Sequence, residues 1–102
     1  MARIKTIETG VYRIPLTVTL SDSTHGEIKA FELITCRVRD ADGAEGAGYT
    51  YTVGRNGGAI TDILRREIPE LIGDREADDT EAIWHHVWWG LHYGGRGGAA
   101  VL

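Results

Sequence analysis

The stretch 46–58, GAGYTYTVGRNGG, constrains this chain most. It opens as an aromatic, β-favouring segment and closes as a glycine-rich loop that runs into a helical pattern at Ala59. A strand that stops in such a loop and feeds a helix can set backbone N–H groups beside a ligand. Arg55 and Asn56 occupy the tip, and a similar run, GGRGG, recurs at 94–98. Arg55 or Arg96, with N–H groups at a helix start, could hold a carboxylate; equally, the glycines could serve only as turn and helix-start residues.

The rest of the chain reads as scaffold. Residues 3–16 carry Ile4, Ile7, Val11, Tyr12 and Ile14, a strand pattern whose alternation slips once, with Gly10 the expected bulge. Pro15 should end that strand or lie at an edge. Residues 17–29 lose their period after Leu20, and Ser21 to Gly26 has loop composition, so a long connection is expected there. In residues 30–39, Ile34, Cys36 and Val38 point one way and Arg37 and Arg39 the other. An Asp42-Gly43 turn then makes an antiparallel hairpin with a third strand, Glu45 to Thr52.

Ile60, Ile63, Leu64 and Ile68 recur at helical spacing over 57–68, and Pro69 should break that helix. Gly73 closes the short turn that follows, and 73–77 reads as a polar link. Asp78 with Glu81 has capping-box spacing for a helix running to about Tyr93. That helix has Ile83, Val87 and Leu91 on one line and Trp84 and Trp88 on the next, with the tryptophans expected in a core or an interface. The glycines at 94–98 should stop it, and Ala99 should open another helix. Strands followed by helices predict an α+β domain: a three-stranded antiparallel meander with a helical bundle against one face.

Composition bounds function. A chain of 102 residues suits one small domain. A net charge of −4 argues against a nonspecific nucleic-acid surface, and no apolar run approaches a membrane span. A lone Cys36 rules out an internal disulfide and fits a cytoplasmic setting. Asp22, Ser23 and His25 are triad residue types, but they are too close in sequence to converge as a triad. His85 and His92 lie about 10 Å apart along a helix axis, too far for one ion. The glycine loops lack the Lys-Ser/Thr of a P-loop and dinucleotide spacing. The residues themselves supply no complete active site. The apolar ending, Ala-Ala-Val-Leu, reads as the opening of a buried helix and predicts that more chain follows.

Taken together, four pieces resemble the N-terminal capping domain of the mandelate racemase/muconate lactonizing branch of the enolase superfamily. They are IKTIET (4–9) leading to YRIPL (12–16), DGAEGAGYT (42–50), LIGD (71–74) before Ile83-Trp84, and GRGGAA (95–100). Their order and spacing cover essentially the whole chain.

The resemblance implies an enolase-like cap over 1–102 and a catalytic (β/α) barrel that is absent from these residues. In the family the barrel holds Mg²⁺ and the bases that abstract a proton next to a substrate carboxylate. No catalytic residue and no metal ligand is therefore expected here, and Mg²⁺ belongs to the parent enzyme. Two cap loops close over the site and shape specificity. By position they are 20–26 and 51–57, so Thr24, His25, Tyr51 and Arg55 are the expected substrate-binding residues.

Polar loop tips suit a hydroxylated acid, which implies an acid-sugar dehydratase first and a racemase or epimerase next. The 22–26 loop departs from the more apolar loop of mandelate-type members. The expected partners are a small carboxylate or sugar acid and the barrel of the same chain, in a homo-oligomer, with no nucleic acid and no membrane. Competing readings are a free-standing small-anion-binding module without catalysis, and a structural domain that uses the tryptophan helix as an interface. As a separate piece, the chain should expose apolar surface and self-associate.

Overall fold

A computed structural model describes residues 2–24 and 26–92. Three strands form one antiparallel sheet in the order β1 (Ile4–Asp22), β2 (Gly26–Asp40), β3 (Glu45–Thr52). The alternation in β2 does what its residues require. Ile34 faces the helices and is 1% exposed, with Cys36 and Val38 half-buried on the same face.

The expected loop over 17–29 is largely strand. Pairing resumes at Leu20↔Ile28 and runs to Asp22↔Gly26, with Ser23 and Thr24 in the turn that follows β1. Between Pro15↔Ala30 and Leu20↔Ile28 the register jumps, with four residues of β1 against one of β2. Pro15 has no N–H for the ladder and lies on an edge strand, where such an irregularity is tolerated. This distal hairpin is mostly exposed, so it carries no hydrophobic period to read.

Gly10 is not a bulge. It pairs in regular register with Thr35, and the irregularity falls between Ile4 and Thr6 instead. A Cβ at Gly10 would lie 2.8–2.9 Å from the Tyr12 ring and the Thr35 hydroxyl, so close packing accounts for this glycine.

After β3 come α1 (Gly57–Asp62), a π turn (Ile63–Glu67) and α2 (Ile68–Ile72). Pro69 therefore does not break the helix. The turn before it widens, and the Ile68 N–H bonds to the Ile63 carbonyl five residues back. Pro69 then sits in the first turn of α2, where a missing N–H costs little. Gly73 ends α2 at φ 61°, ψ −137°, with its N–H on the Pro69 carbonyl at 2.9 Å.

The link after Gly73 is stitched to the start of β1. Ile4 N–H bonds Arg75 O at 2.8 Å, Ala77 N–H bonds Ala2 O at 3.0 Å, and Arg3 bridges Glu76. Ile4, Ile34, Ile60 and Ile72 form the buried core, from β1, β2, α1 and α2. Buried Thr61 satisfies its hydroxyl on the Gly57 carbonyl at 2.7 Å.

Helix α3 (Thr80–Gly90) starts with Asp79, not Asp78, at its N-cap, and no side chain caps it. The one-residue displacement puts Glu81 at the second helical position, where it cannot close the capping box. Ile83, Val87 and Leu91 are half-buried as their spacing predicts. The tryptophans are not core: Trp84 is 60% and Trp89 64% exposed, and Trp84 stacks on half-buried Trp88 with centroids 6.4 Å apart. Among the described residues no helix is long and apolar enough to cross a membrane. The expected helix end at Tyr93, the 94–98 break with Arg96 and the helix from Ala99 lie outside the described residues.

Thr9 lies opposite Cys36 on the helix-facing side of β1. Its buried Oγ1 has no hydrogen-bond partner among the described residues. Valine keeps the shape and removes the desolvated hydroxyl. Thr9→Val should therefore stabilise by about 1 kcal/mol, a rise in Tm of about 4–8 °C for a domain of this size. Scanning calorimetry checks this; an unchanged or lower Tm would show that the hydroxyl is satisfied in solution.

Candidate functional site

Of the residues expected to face a ligand, Thr24 and Arg55 lie on two connections and Tyr51 lies in β3. Thr24 sits at the β1–β2 tip, where its backbone N–H bonds Asp22 Oδ1 at 2.8 Å. Asp22 thus shapes the turn that presents Thr24. His25 lies outside the described residues.

Arg55 is exposed in the β3–α1 loop and stands just before Asn56, which is left-handed at φ 75° and N-caps α1. Val53 and Gly54 of this loop line a concavity of about 380 Å³ with Arg13, Lys29 and Glu32 from the stem of the β1–β2 hairpin. The fold therefore sets the Arg55 loop beside the stem that carries Thr24. Two cations and two carboxylates, Glu27 and Glu32, border the concavity, and Lys29 pairs with Glu27 at 3.7 Å.

Tyr51 stands apart. It pairs with Leu33 on the sheet face opposite Ile34, and its ring lies 5.4 Å from that of Phe31. With Ile14, Phe31, Leu33 and Tyr49 it lines a separate, wholly apolar depression of about 340 Å³. Neither of these two hollows is lined by Thr24, Tyr51 and Arg55 together.

Sequence reasoning missed Glu32. Its carboxylate accepts the Thr52 hydroxyl at 2.7 Å and abuts Gly57, where a Cβ would lie 2.6–2.8 Å from the carboxylate atoms. The start of α1, read from the sequence as a seat for a ligand carboxylate, is thus faced by the chain's own. The signal was present in the strand. Glu32 shares the inward phase of Ile34, Cys36 and Val38, and a carboxylate there needs a specific partner.

Burial pushes the Cys36 thiol up from its ordinary value, which disfavours the thiolate a nucleophile needs. His85 packs edge-on against Trp84, and His92 lies against the Trp88 and Trp89 rings. The hydrogen bond from Arg39 at 2.7 Å, with the charges of Arg39 and Arg37, holds the Glu45 carboxyl below its usual range against partial desolvation. That pairing fastens the far end of the β2–β3 hairpin. Among the described residues no three His, Cys, Asp or Glu gather to hold a metal ion.

The meander with helices on one face has the architecture of the enolase-superfamily N-terminal capping domain. No protein-family model matches the chain. It is 47% identical over 98 residues to a 3,6-anhydro-alpha-L-galactonate cycloisomerase of Streptomyces coelicolor, which covers 96% of this chain and 27% of that protein. The crystal structure of a racemase from Streptomyces coelicolor A3(2) with bound magnesium superposes at TM-score 0.90 and 47% identity, over 95% of this chain and 27% of that one. L-Talarate dehydratase from Polaromonas sp. JS666, complexed with Mg and L-glucarate, matches at TM-score 0.82 and 20% identity over 94% of this chain and 27% of that one, a likeness of fold alone. The chain thus has the fold of the enolase-superfamily N-terminal capping domain and is similar to that part of these relatives. It spans about a quarter of the length of the curated relative it matches.

Proposed function

We propose that this chain is the specificity-determining cap of a Mg²⁺-dependent enzyme that abstracts a proton next to the carboxylate of a sugar acid. The observation that carries this reading is the 47% identity, across nearly the whole chain, to the Streptomyces coelicolor cycloisomerase. That relative favours an isomerase over the acid-sugar dehydratase expected from the polar hairpin tip. The likenesses to dehydratases lie at 20–23% identity and speak only to fold.

Under this reading the cap's work is binding and exclusion. Arg55 supplies charge and hydrogen-bond donors for a carboxylate, and Thr24 and His25 bring polar groups from the hairpin tip. Tyr51 lends an aromatic surface on the neighbouring sheet face. Closure of the two connections over a substrate shields it from water and completes the pocket. Magnesium, when bound, stabilises the charge that develops on the substrate carboxylate. In this reading its ligands belong to the barrel that the family resemblance implies, and no step is assigned to the metal here. The working form is a cytoplasmic homo-oligomer.

The test uses the complete polypeptide that carries these residues, assayed with Mg²⁺ on a panel of sugar acids. Arg55→Ala and His25→Ala should each change the ratio of kcat/KM between two acids by about tenfold, equivalent to about 1.4 kcal/mol of differential transition-state binding. Unchanged ratios in both variants would remove the loops from the specificity role. Product analysis separates ring-forming isomerisation and epimerisation from loss of water. If turnover is absent while the chain binds galactonate by calorimetry, the free-standing anion-binding module is the better description.

A further inference from the structure

We infer that Glu32 is a positioning residue that clamps the β3–α1 loop and so sets where Arg55 points. The inference rests on the proposed substrate-facing role of that loop only for its catalytic consequence, and its structural half stands alone. Thr52 is the residue immediately before the loop and Gly57 the residue immediately after it. One carboxylate touches both: it accepts the Thr52 hydroxyl at 2.7 Å and lies against Gly57, which is buried. The same Thr52 hydroxyl oxygen accepts the Gly54 N–H at 3.3 Å, so the clamp reaches the second residue of the loop.

The anchor itself is rigid. Glu32 sits in the ladder between Arg13 of β1 and Thr52 of β3, two residues from Ile34, the most deeply buried side chain described. A loop of four residues that is hydrogen-bonded at one end and packed at the other against one group on a central strand has few conformations left. Gly57 fits this arrangement, since any Cβ there would displace the carboxylate. Arg55 and the left-handed Asn56 are carried between the tied ends.

The experiment compares Glu32→Ala, Glu32→Gln and Thr52→Val. On the chain itself, ¹⁵N relaxation reads the loop. Order parameters of residues 53–56 should fall from about 0.85 to below about 0.6 in Glu32→Ala and Thr52→Val, while β2 residues stay near the rigid value. Glu32→Gln retains an oxygen that can accept the Thr52 hydroxyl and should keep the loop ordered. In the complete polypeptide, Glu32→Ala should raise KM for its acid substrate about tenfold or more with a smaller change in kcat, and Glu32→Gln should restore it.

An ordered loop in both Glu32→Ala and Thr52→Val would overturn the clamp, as would loosening spread equally over β2. If Glu32→Ala fails to fold, Thr52→Val decides alone. A freed loop with unchanged KM would leave the clamp standing and remove the loop from substrate binding, so the two readings fail separately.

Discussion

Replacing Ile34 with alanine should remove a large part of this domain's margin of stability, at a cost of about 2–5 kcal/mol. Among the described residues only Ile4, Ile34, Ile60 and Ile72 are buried apolar side chains, and Ile34 is the one that is fully enclosed. It sits at the centre of the sheet, paired with Val11 on one side and Thr50 on the other. It faces the layer of helices that supplies Ile60 and Ile72. Truncation there leaves a void bordered by both layers. A small domain has about 5–15 kcal/mol in all, so the loss is a large fraction. Urea titration followed by circular dichroism should show a lower midpoint with an unchanged slope. A loss below about 1 kcal/mol would mean that the helices do not pack on the sheet as described. Ile34→Val, which removes one methylene, should cost only about 0.5–1.5 kcal/mol and grade the effect.

Gly73→Ala should be the next most damaging change, at about 1–3 kcal/mol. At φ 61° and ψ −137° the residue occupies a region that side chains with a Cβ rarely enter. The conformation is held from both sides. Its N–H bonds Pro69, and two residues on, the chain is already stitched to Ile4 through the Arg75 carbonyl. Relaxing the strain would pull the link away from β1. No heavy atom outside the neighbouring residues lies within 4 Å of the missing Cβ, so the cost is one of backbone conformation and not of crowding. Gly58→Ala is the control: it too has open space, but it lies in α1 at ordinary helical geometry and should be neutral or slightly stabilising. Equal effects from the two substitutions would contradict the backbone argument.

Much of the layout was legible in the residues. The β2 alternation, the Asp42-Gly43 turn and the helical spacing of Ile60, Ile63, Leu64 and Ile68 each predicted the element that forms. Each carries a period or a turn chemistry set by local geometry. The errors fall where that signal is missing or outvoted. The distal hairpin is solvated on both sides, so its strands show no alternation. Pro69 passes through the helix because a π turn rearranges the carbonyls beneath it. Of the two places expected for the tryptophans of α3, the core is ruled out for Trp84 and Trp89, because the half-buried Ile83, Val87 and Leu91 line takes the inner side.

The candidate site divides in the same way. Thr24 and Arg55 could be picked out as polar tips of loops that punctuate the pattern. Tyr51 was picked out from its place before the loop, and strand alternation sets it on the sheet face opposite Ile34, beside Phe31. Glu32 was invisible as a loop-holder because its partners, Thr52 and Gly57, lie 20 and 25 residues away along the chain.

By itself, then, the order of residues determined the type of each strongly periodic element and the polar ends of the connections. Both follow from rules that act over a few neighbours. Only the tertiary structure decided that one carboxylate from the middle strand bonds Thr52 at one end of the β3–α1 loop and packs against Gly57 at the other. Bringing that carboxylate to Thr52 and Gly57 requires the sheet to pair and the first helix to dock, and no local stretch encodes that closure.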